Sequence, residues 1–534
     1  MAVRAKGSFR NDERFSTVSP TRVPRSAFDR SHSHKTTFNT GQLVPISVDE
    51  LLPGDTYSWR PSFLARLTSP QFPFMDGLHL DYQAFVIPVR LVMDNFTKLM
   101  GERENPADHN DYELPTMTAP AGGFGEGSVA DYLGVPPRIG SLEITSIYHR
   151  AYNLCVREWY RDANLSDAPV VDTDDGPDDY TDYPLATRSK RKDYFSGALP
   201  FLQRGDAVQL PIGSSAPVVE SAPNAYPTYK VPALGQTGLG MSSQVTTGDV
   251  TVTVGGAGSP RWLEWDATNL IADLSSATAS TINEIRTALA TQHLLERDAR
   301  GGGRYRELML SHFGVVTDDI RLMRPQLVAT GSFPINVTAV ESTANVSGWP
   351  VGELGAYATG MHVGRTAMFS ATEHMIFLGI CSVRADLTYQ QGVHRMFNRR
   401  SRYDFYWPDF QGLGEQIVES REIYADGTGD PALGTGDYSV WGYQPRYEEY
   451  RHRYSYVSGD FRSDATTPLD VWHLALDFGS RPTLDDAFIL EDVPIDRVLT
   501  VSETFAPSIK CDAFFKVNHV RPMGRFGVPG LTRF

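Results

Sequence analysis

The densest chemistry in the sequence lies in YQQGVHRMFNRRSRYDFYWPDF, residues 389–410, where Arg395, Arg399, Arg400 and Arg402 stand among Phe397, Tyr403, Phe405, Tyr406 and Trp407. A second run, YQPRYEEYRHRY at 443–454, repeats the mixture. Guanidinium groups pair with phosphates and aromatic faces stack on unpaired bases, so this composition can hold a single strand without reading its sequence. Arg, Tyr and Trp are also the residues enriched at protein interfaces. Arg395, Arg399, Arg400, Arg402, Tyr403, Tyr406 and Trp407 are therefore candidate contacts to nucleic acid or to a neighbouring subunit, with a role in the protein's own core as the plain alternative.

Charge supplies further candidates. Residues 1–35 carry eight cations, including Arg4, Lys6, Arg10 and Arg14, against Asp12, Glu13 and Asp29, for a net charge of +5 in a chain whose formal total is −15. Rich in Ser, Thr and Pro, they read as an extended basic arm that meets either phosphates or an acidic protein surface. VVDTDDGPDDYTDYP, from residue 170, clusters Asp172, Asp174, Asp175, Asp178, Asp179 and Asp182. Oxygen-rich runs can hold a divalent cation such as calcium. Here Gly176-Pro177 and the missing terminal Glu break the EF-hand template, so Asp172, Asp174 and Asp175 are weak candidates beside the plainer reading of solvated or self-paired charge. Trp407, Asp409 and Glu415 could be imagined as a glycan-cleaving groove, but nothing sets their carboxyl separation. No phosphate loop, dinucleotide fingerprint, His-Glu-x-x-His or nucleophile elbow is present. No catalytic residue is assigned, and the chain reads as a non-enzyme.

Composition bounds the scaffold that must carry these groups. The 534 residues include 46 Gly and 35 Pro, with 41% hydrophobic and 21% charged residues, which excludes bulk disorder and a bundle of long helices. An acidic total disfavours an ordinary duplex-DNA reader. Three dispersed cysteines, Cys155, Cys381 and Cys511, build neither a disulfide framework nor a metal knuckle. The N-terminus lacks an apolar signal region, and no window of the sequence suits a membrane span.

Periodicity predicts mostly strands. Leu78, Leu80, Tyr82, Ala84 and Val86 alternate with polar residues, as do Ile509, Cys511, Ala513, Phe515 and Val517, and as do Trp472, Leu474, Leu476 and Phe478. MIFLGICSVRA, 375–385, reads as a continuous apolar strand of sandwich-core type. Helices are expected at 94–101, 142–159, from a Thr281–Glu284 capping box to the glycines at 301–303, and over 304–314. Residues 204–260, with Val250, Val252 and Val254 as a small strand, and residues 330–360 read as Gly-, Ser- and Thr-rich excursions. Strands at both ends with helices in the connections argue for an antiparallel sandwich.

Several long segments, in order, carry a resemblance. They include FDRSHSHKTTFNTGQLVPISVDELLPGDT (28–56), FPFMDGLHLDYQAFVIPVRLVMDNFTKLMGE (72–102), ERDARGGGRYRELMLSHFGV (296–315), SVRADLTYQQGVHRMFNRRSRYDFYWP (382–408), WGYQPRYEEYRHRYS (441–455) and RPMGRFGVPGL (521–531). In them the chain resembles the major capsid proteins of microviruses, small single-stranded DNA bacteriophages, and most closely the gokushovirus branch. The resemblance implies a mainly β fold, a viral jelly roll made as an eight-stranded antiparallel β-sandwich with long insertions. It implies a basic arm at 1–35 and one capsid domain over 36–534, with 204–260 as a three-fold surface protrusion and 330–360 as a variable external loop. It further implies sixty copies in a T=1 icosahedral shell around circular single-stranded DNA, assembled in the bacterial cytoplasm. Implied partners are the packaged DNA, a small basic DNA-binding virion protein, minor pilot or vertex proteins and a host surface receptor, without membrane insertion. A non-capsid single-stranded DNA-binding or packaging protein is the alternative.

Overall fold

The computed structural model describes residues 24–103, 105, 111–206, 208, 218–220, 228–231, 236–239, 264–266, 270–272, 282–302, 304–315, 323–343, 345 and 350–525. Ten strands form its principal sheet: β1 (Ser26–Asp29), β2 (His32–Phe38), β3 (Val44–Leu51), β4 (Thr56–Leu67), β5 (Leu78–Pro88), β6 (Gln326–Glu341), β7 (Leu354–Val363), β8 (Ala367–Ser370), β9 (Met375–Ala385) and β10 (Ile509–Arg521). Eight follow the path β1-β10-β4-β7-β6-β5-β9-β3, all antiparallel, while β2 pairs with β10 and β8 with β4.

Alternation dictates how this sheet curls. On β4 Tyr57, Trp59, Phe63, Ala65 and Leu67 are buried while Arg60, Leu64 and Arg66 are exposed, and β10 buries Ile509, Cys511, Ala513, Phe515 and Val517. With one apolar face per strand, the sheet can remove both halves from water only by folding over itself. Trp59 accordingly stacks on Phe515 of neighbouring β10 at 5.6 Å and meets Phe377 of distant β9 at 5.4 Å. Strand β6 makes the turn between layers: residues 326–335 pair with β5, and 336–341 pair with β7. The result is the expected jelly-roll architecture with helical insertions.

All eleven residues of β9 are buried. Met375, Phe377, Cys381 and Val383 join the core between the layers, whereas Ile376, Leu378 and Ile380 meet a second cluster that includes Ile147, Ala151, Tyr152 and Leu154 of α1 (Ile147–Cys155). A helix covering the outer face is why the segment reads as continuously apolar. The helix expected at 142–159 is thus real but shorter, preceded by a strand at Glu143–Thr145 and followed by a π-turn at Val156–Tyr160.

Two expectations need correction. Residues 330–360, expected as an external loop, are mostly β6 and β7, and only the connection between Glu341 and Leu354 remains a loop. Their glycines serve close packing: a Cβ on Gly331 would lie 2.4 Å from the Tyr82 ring, its register partner on β5. Gly331→Ala is therefore expected to lower stability by about 1–3 kcal/mol, measured as a fall in the urea midpoint, because that ring is held in the core and cannot retreat. The second correction concerns 472–478. Asp470–Trp472 is a 3-10 turn, and the chain beyond it makes one bridge, Tyr389 with Leu476. His473, Leu474, Ala475 and Leu476 are all buried, so the apparent period of two does not mark two faces of a strand.

Residues 203–301 form a separate compact unit. Within it Gln236–Leu239, Thr228–Val231 and Glu264–Asp266 make a three-stranded sheet, and Val218–Glu220 pairs with Leu270–Ala272. Helix α2 (Ile282–Gly301) matches the expected long helix, and Gly302, at φ +103, stops it in a conformation that disfavours other residues. The expected Thr281 cap and the Val250–Val254 strand lie outside the described residues. Helix α3 (Tyr305–Phe313) ends on Gly314 in the left-handed conformation. Among the described residues no helix is long and apolar enough to cross a membrane.

Candidate functional site

The Arg-aromatic segment leaves β9 and crosses a body with its own apolar cluster. In that cluster Phe195 meets Tyr389 at 4.7 Å and Trp441 at 5.7 Å, with Ile423 and Ile489 buried alongside. Three 3-10 turns, Arg395–Phe397, Arg402–Asp404 and Pro408–Phe410, shape the segment. Each has a local cause. His394 Nδ1 accepts from Met396 N, Asp404 accepts from the Arg400 and Ser401 amides, and Pro408 starts the third turn with its φ already set. The amide bonds of Ser401 and Arg400 hold the Asp404 carboxyl below its usual range, so it stays ionised as a turn anchor.

Tertiary contacts divide the four arginines into two pairs. Arg395 donates to Glu422 Oε1 at 2.9 Å and to the Ile417 carbonyl at 2.6 Å; Glu422 also accepts from Tyr194 OH at 2.8 Å. Arg399 reaches Glu449 at 3.3 Å, and Gln416 Nε2 donates to the other oxygen of that carboxylate at 2.7 Å. The Glu422 and Glu449 side chains are 1% and 3% exposed. Burial opposes the Arg395 charge, but Glu422, Tyr194 and Glu449 outweigh it and hold the guanidinium protonated above its ordinary range. The Arg399 guanidinium sits 4.5 Å from the Tyr450 ring centre and 5.3 Å from that of Phe405. Both groups are therefore built into the fold.

Arg400 and Arg402 are exposed, and among the described residues neither has a carboxylate partner. Arg402 lies 5.0 Å from the Tyr403 ring centre and 5.9 Å from that of Trp407, whose indole nitrogen donates to the Arg402 carbonyl at 2.8 Å. Tyr403, Phe405, Tyr406 and Trp407 are each about half exposed, and Phe397 is 72% exposed. This ridge offers two free cations and a row of aromatic faces to a partner. A cavity of about 480 Å³ is lined by His394, Phe397, Arg453, Tyr454, Tyr456 and Arg462, among others. Sequence reasoning missed Glu422, Glu449 and Gln416, which decide which arginines are available; the Glu-Glu pair inside YQPRYEEY was the one visible signal.

The acidic segment has a different use. Arg150 on α1 is 0% exposed and donates to Asp178 through both Nε and Nη2, with Nε to Oδ2 at 2.7 Å; Nη2 also reaches Asp174 at 3.1 Å. Asp175 accepts from Asn95 at 3.0 Å, and Asp172 is raised above the usual carboxyl range by burial and by Asp178. Among the described residues no group of three or more His, Cys, Asp or Glu side chains is arranged to hold a metal. Arg4, Lys6, Arg10 and Arg14 lie outside the described residues. The following cations engage this chain's own surface: Arg25 with Thr56, Arg30 with Asp49 and Lys35 with Asp512.

The profile of the family described as "Capsid protein (F protein)" matches residues 16–531. Among curated proteins, the chain is 43% identical over 532 residues to "Capsid protein VP1" of Bdellovibrio phage phiMH2K, covering 98% of both chains. It is 37% identical to "Capsid protein VP1" of Chlamydia phage 1, over 97% of this chain and 98% of that one. Against "Capsid protein VP1" of Spiroplasma virus 4 the identity is 31%, over 97% of each chain.

Proposed function

The chain belongs to the phage capsid F protein family, and from that membership we propose that it is the shell-forming protein of a small bacteriophage. Sixty copies close into a T=1 icosahedral shell around circular single-stranded DNA, assembled in the bacterial cytoplasm and carried in the virion. The observation that carries this reading is the family match from residue 16 to residue 531 on a chain whose principal sheet is a jelly roll. Assembly of this kind sums repeated contacts that close with symmetry, so each contact can be modest. No catalytic step is required.

On this reading the arm at 1–35 and the ridge around Arg400, Arg402 and Trp407 contact the genome or an adjoining copy. The insertion at 204–260 and the turn between β6 and β7 face outward from the shell, where they supply host attachment. A small basic DNA-binding virion protein, minor pilot or vertex proteins and a host surface receptor are the expected partners.

Negative-stain electron microscopy of the protein, expressed with and without the accompanying virion proteins, tests the proposal. Closed shells of one small diameter are expected in at least one preparation. Small oligomers in both, with salt-dependent DNA binding, would instead mark a packaging protein. For the ridge, Arg400→Glu with Arg402→Glu is expected to leave the unfolding midpoint within about 0.5 kcal/mol of wild type, as surface changes usually do, while reducing particle yield or DNA content. Unchanged yield and DNA content would remove the ridge from the assembly surface.

A further inference from the structure

The outward face of the layer made by β2, β10, β4 and β7 has an arrangement that internal packing does not explain. Lys510 of β10 stands directly opposite Arg66 of β4, and Lys516 directly opposite Arg60. Like charges in direct cross-strand register destabilise a sheet, and here it happens twice. Six residues separate the two cation pairs along each strand, a span of about 20 Å.

Between them lie Phe514 opposite Ser62 and Leu64 opposite Asp512. On β7, Met361 and Val363 continue the rows of Leu64 and Ser62. Phe514, Leu64, Met361 and Val363 are 47%, 38%, 81% and 52% exposed. Two acids share the face: Asp512, 3.4 Å from Lys35, and Asp29, whose carboxylate accepts from the Ser31 amide and hydroxyl. Among the described residues neither forms a salt bridge with Lys510, Lys516, Arg60 or Arg66, although the Lys516 charge acts on Asp29, and Arg60 Nε donates to the Gly364 carbonyl at 3.3 Å. The face is thus net positive on a chain of net charge −15.

We propose that this sheet face binds single-stranded nucleic acid, the two cation pairs taking phosphates and Phe514 taking an unpaired base; the inference rests on the reading that the shell encloses such a strand. Charge complementarity selects the occupant. Two registered cation pairs, one of them partly offset by Asp29 near Lys516, relieve the rest of their mutual repulsion against an anion, and about 20 Å corresponds to about six nucleotides at the 3.4 Å rise of a stacked strand. An exposed ring between phosphate sites gives stacking that tolerates any base. The face is distinct from the ridge at 400–407, so one copy has two separated surfaces for the same polymer.

The test is a titration of the full-length chain with a fluorescent oligothymidylate at several salt concentrations. Each of Lys510→Gln/Lys516→Gln and Arg60→Gln/Arg66→Gln is expected to flatten the plot of log affinity against log salt by about 1.4, two contacts at about 0.7 each. Phe514→Ala should lower affinity about tenfold with the slope unchanged. Removing either registered repulsion should raise the thermal midpoint of the DNA-free chain, which separates lost binding from lost folding. An unchanged slope in both double variants overturns the proposal. So does a double variant that stays folded and keeps the wild-type slope but no longer closes shells, because the face is then a contact between copies. A wild-type chain that forms no shells, yet loses slope in these variants, sinks the capsid reading and supports the binding face.

Discussion

Replacing Arg150 with Met is expected to destabilise the folded chain by about 3–5 kcal/mol, the largest effect of any single substitution proposed here. Arg150 is completely buried and satisfies the Asp178 carboxylate with two of its nitrogens, while Nη1 donates to the carbonyls of Val92 at 3.0 Å and Asp174 at 2.7 Å. Asp178, with a side chain 1% exposed, would be left as a buried charge facing a thioether. One guanidinium also ties α1, the turn after β5 and the acidic segment together, so its loss releases three connections at once. Urea unfolding followed by tryptophan fluorescence measures the effect. Asp178→Asn added to Arg150→Met should recover part of the loss, since removing both charges costs less than stranding one. A single-variant loss under about 1 kcal/mol would show that the acidic segment is not anchored through this contact.

The second large effect is a pH dependence one residue away. His149 is 3% exposed, packed near Phe124 and Tyr183 with ring centroids 6.5 and 5.9 Å away. Among the described residues neither ring nitrogen has a hydrogen-bond partner. Burial lowers its pKa to about 4, and the nearby Asp178 charge only partly opposes this. A histidine held neutral in the fold but free to protonate at about 6.5 when unfolded contributes stability that is full above pH 6.5. That stability declines on acidification and is exhausted near pH 4, a difference of about 3 kcal/mol. Unfolding midpoints between pH 7 and 4 should fall accordingly, and His149→Phe should flatten the curve across that window. Asp178 titrates elsewhere: burial would raise its pKa, but bonds from Arg150, Ser146 and Tyr183 lower it, so its contribution is present above about pH 3.8 and lost below. A wild-type curve already flat from pH 7 to 4 would mean that His149 finds a protonated state the fold tolerates.

Local pattern was enough for much of the architecture. Strand periodicity in β5 and β10 comes from side chains pointing alternately to core and solvent, which can be counted in the sequence. The continuous apolar run of β9 announced a core strand, and the glycines at 301–303 announced the end of α2. The order of quoted segments pointed to the capsid family, which the match over residues 16–531 then showed.

What composition could not separate was the use of similar residues in different surroundings. Arg395 and Arg399 look like Arg400 and Arg402 in the sequence, yet the first two close on Glu422 and Glu449, which arrive from later in the chain. The Gly-, Ser- and Thr-rich stretch at 330–360 read as loop because small residues favour turns, whereas β6 needs Gly331 to admit a tyrosine from β5. The acidic run at 172–178 suggested an ion because the cation that Asp174 and Asp178 hold, Arg150, comes from another element. Opposed lysines and arginines on β4 and β10 are more than 440 residues apart and meet only through strand register. The sequence by itself marked the strands whose side chains alternate between core and solvent, such as β5 and β10, because that alternation depends on neighbours two residues away. Only the tertiary structure decided which charges are spent inside the fold and which are left for a partner, because a charge is neutralised by what lies within a few ångströms in space.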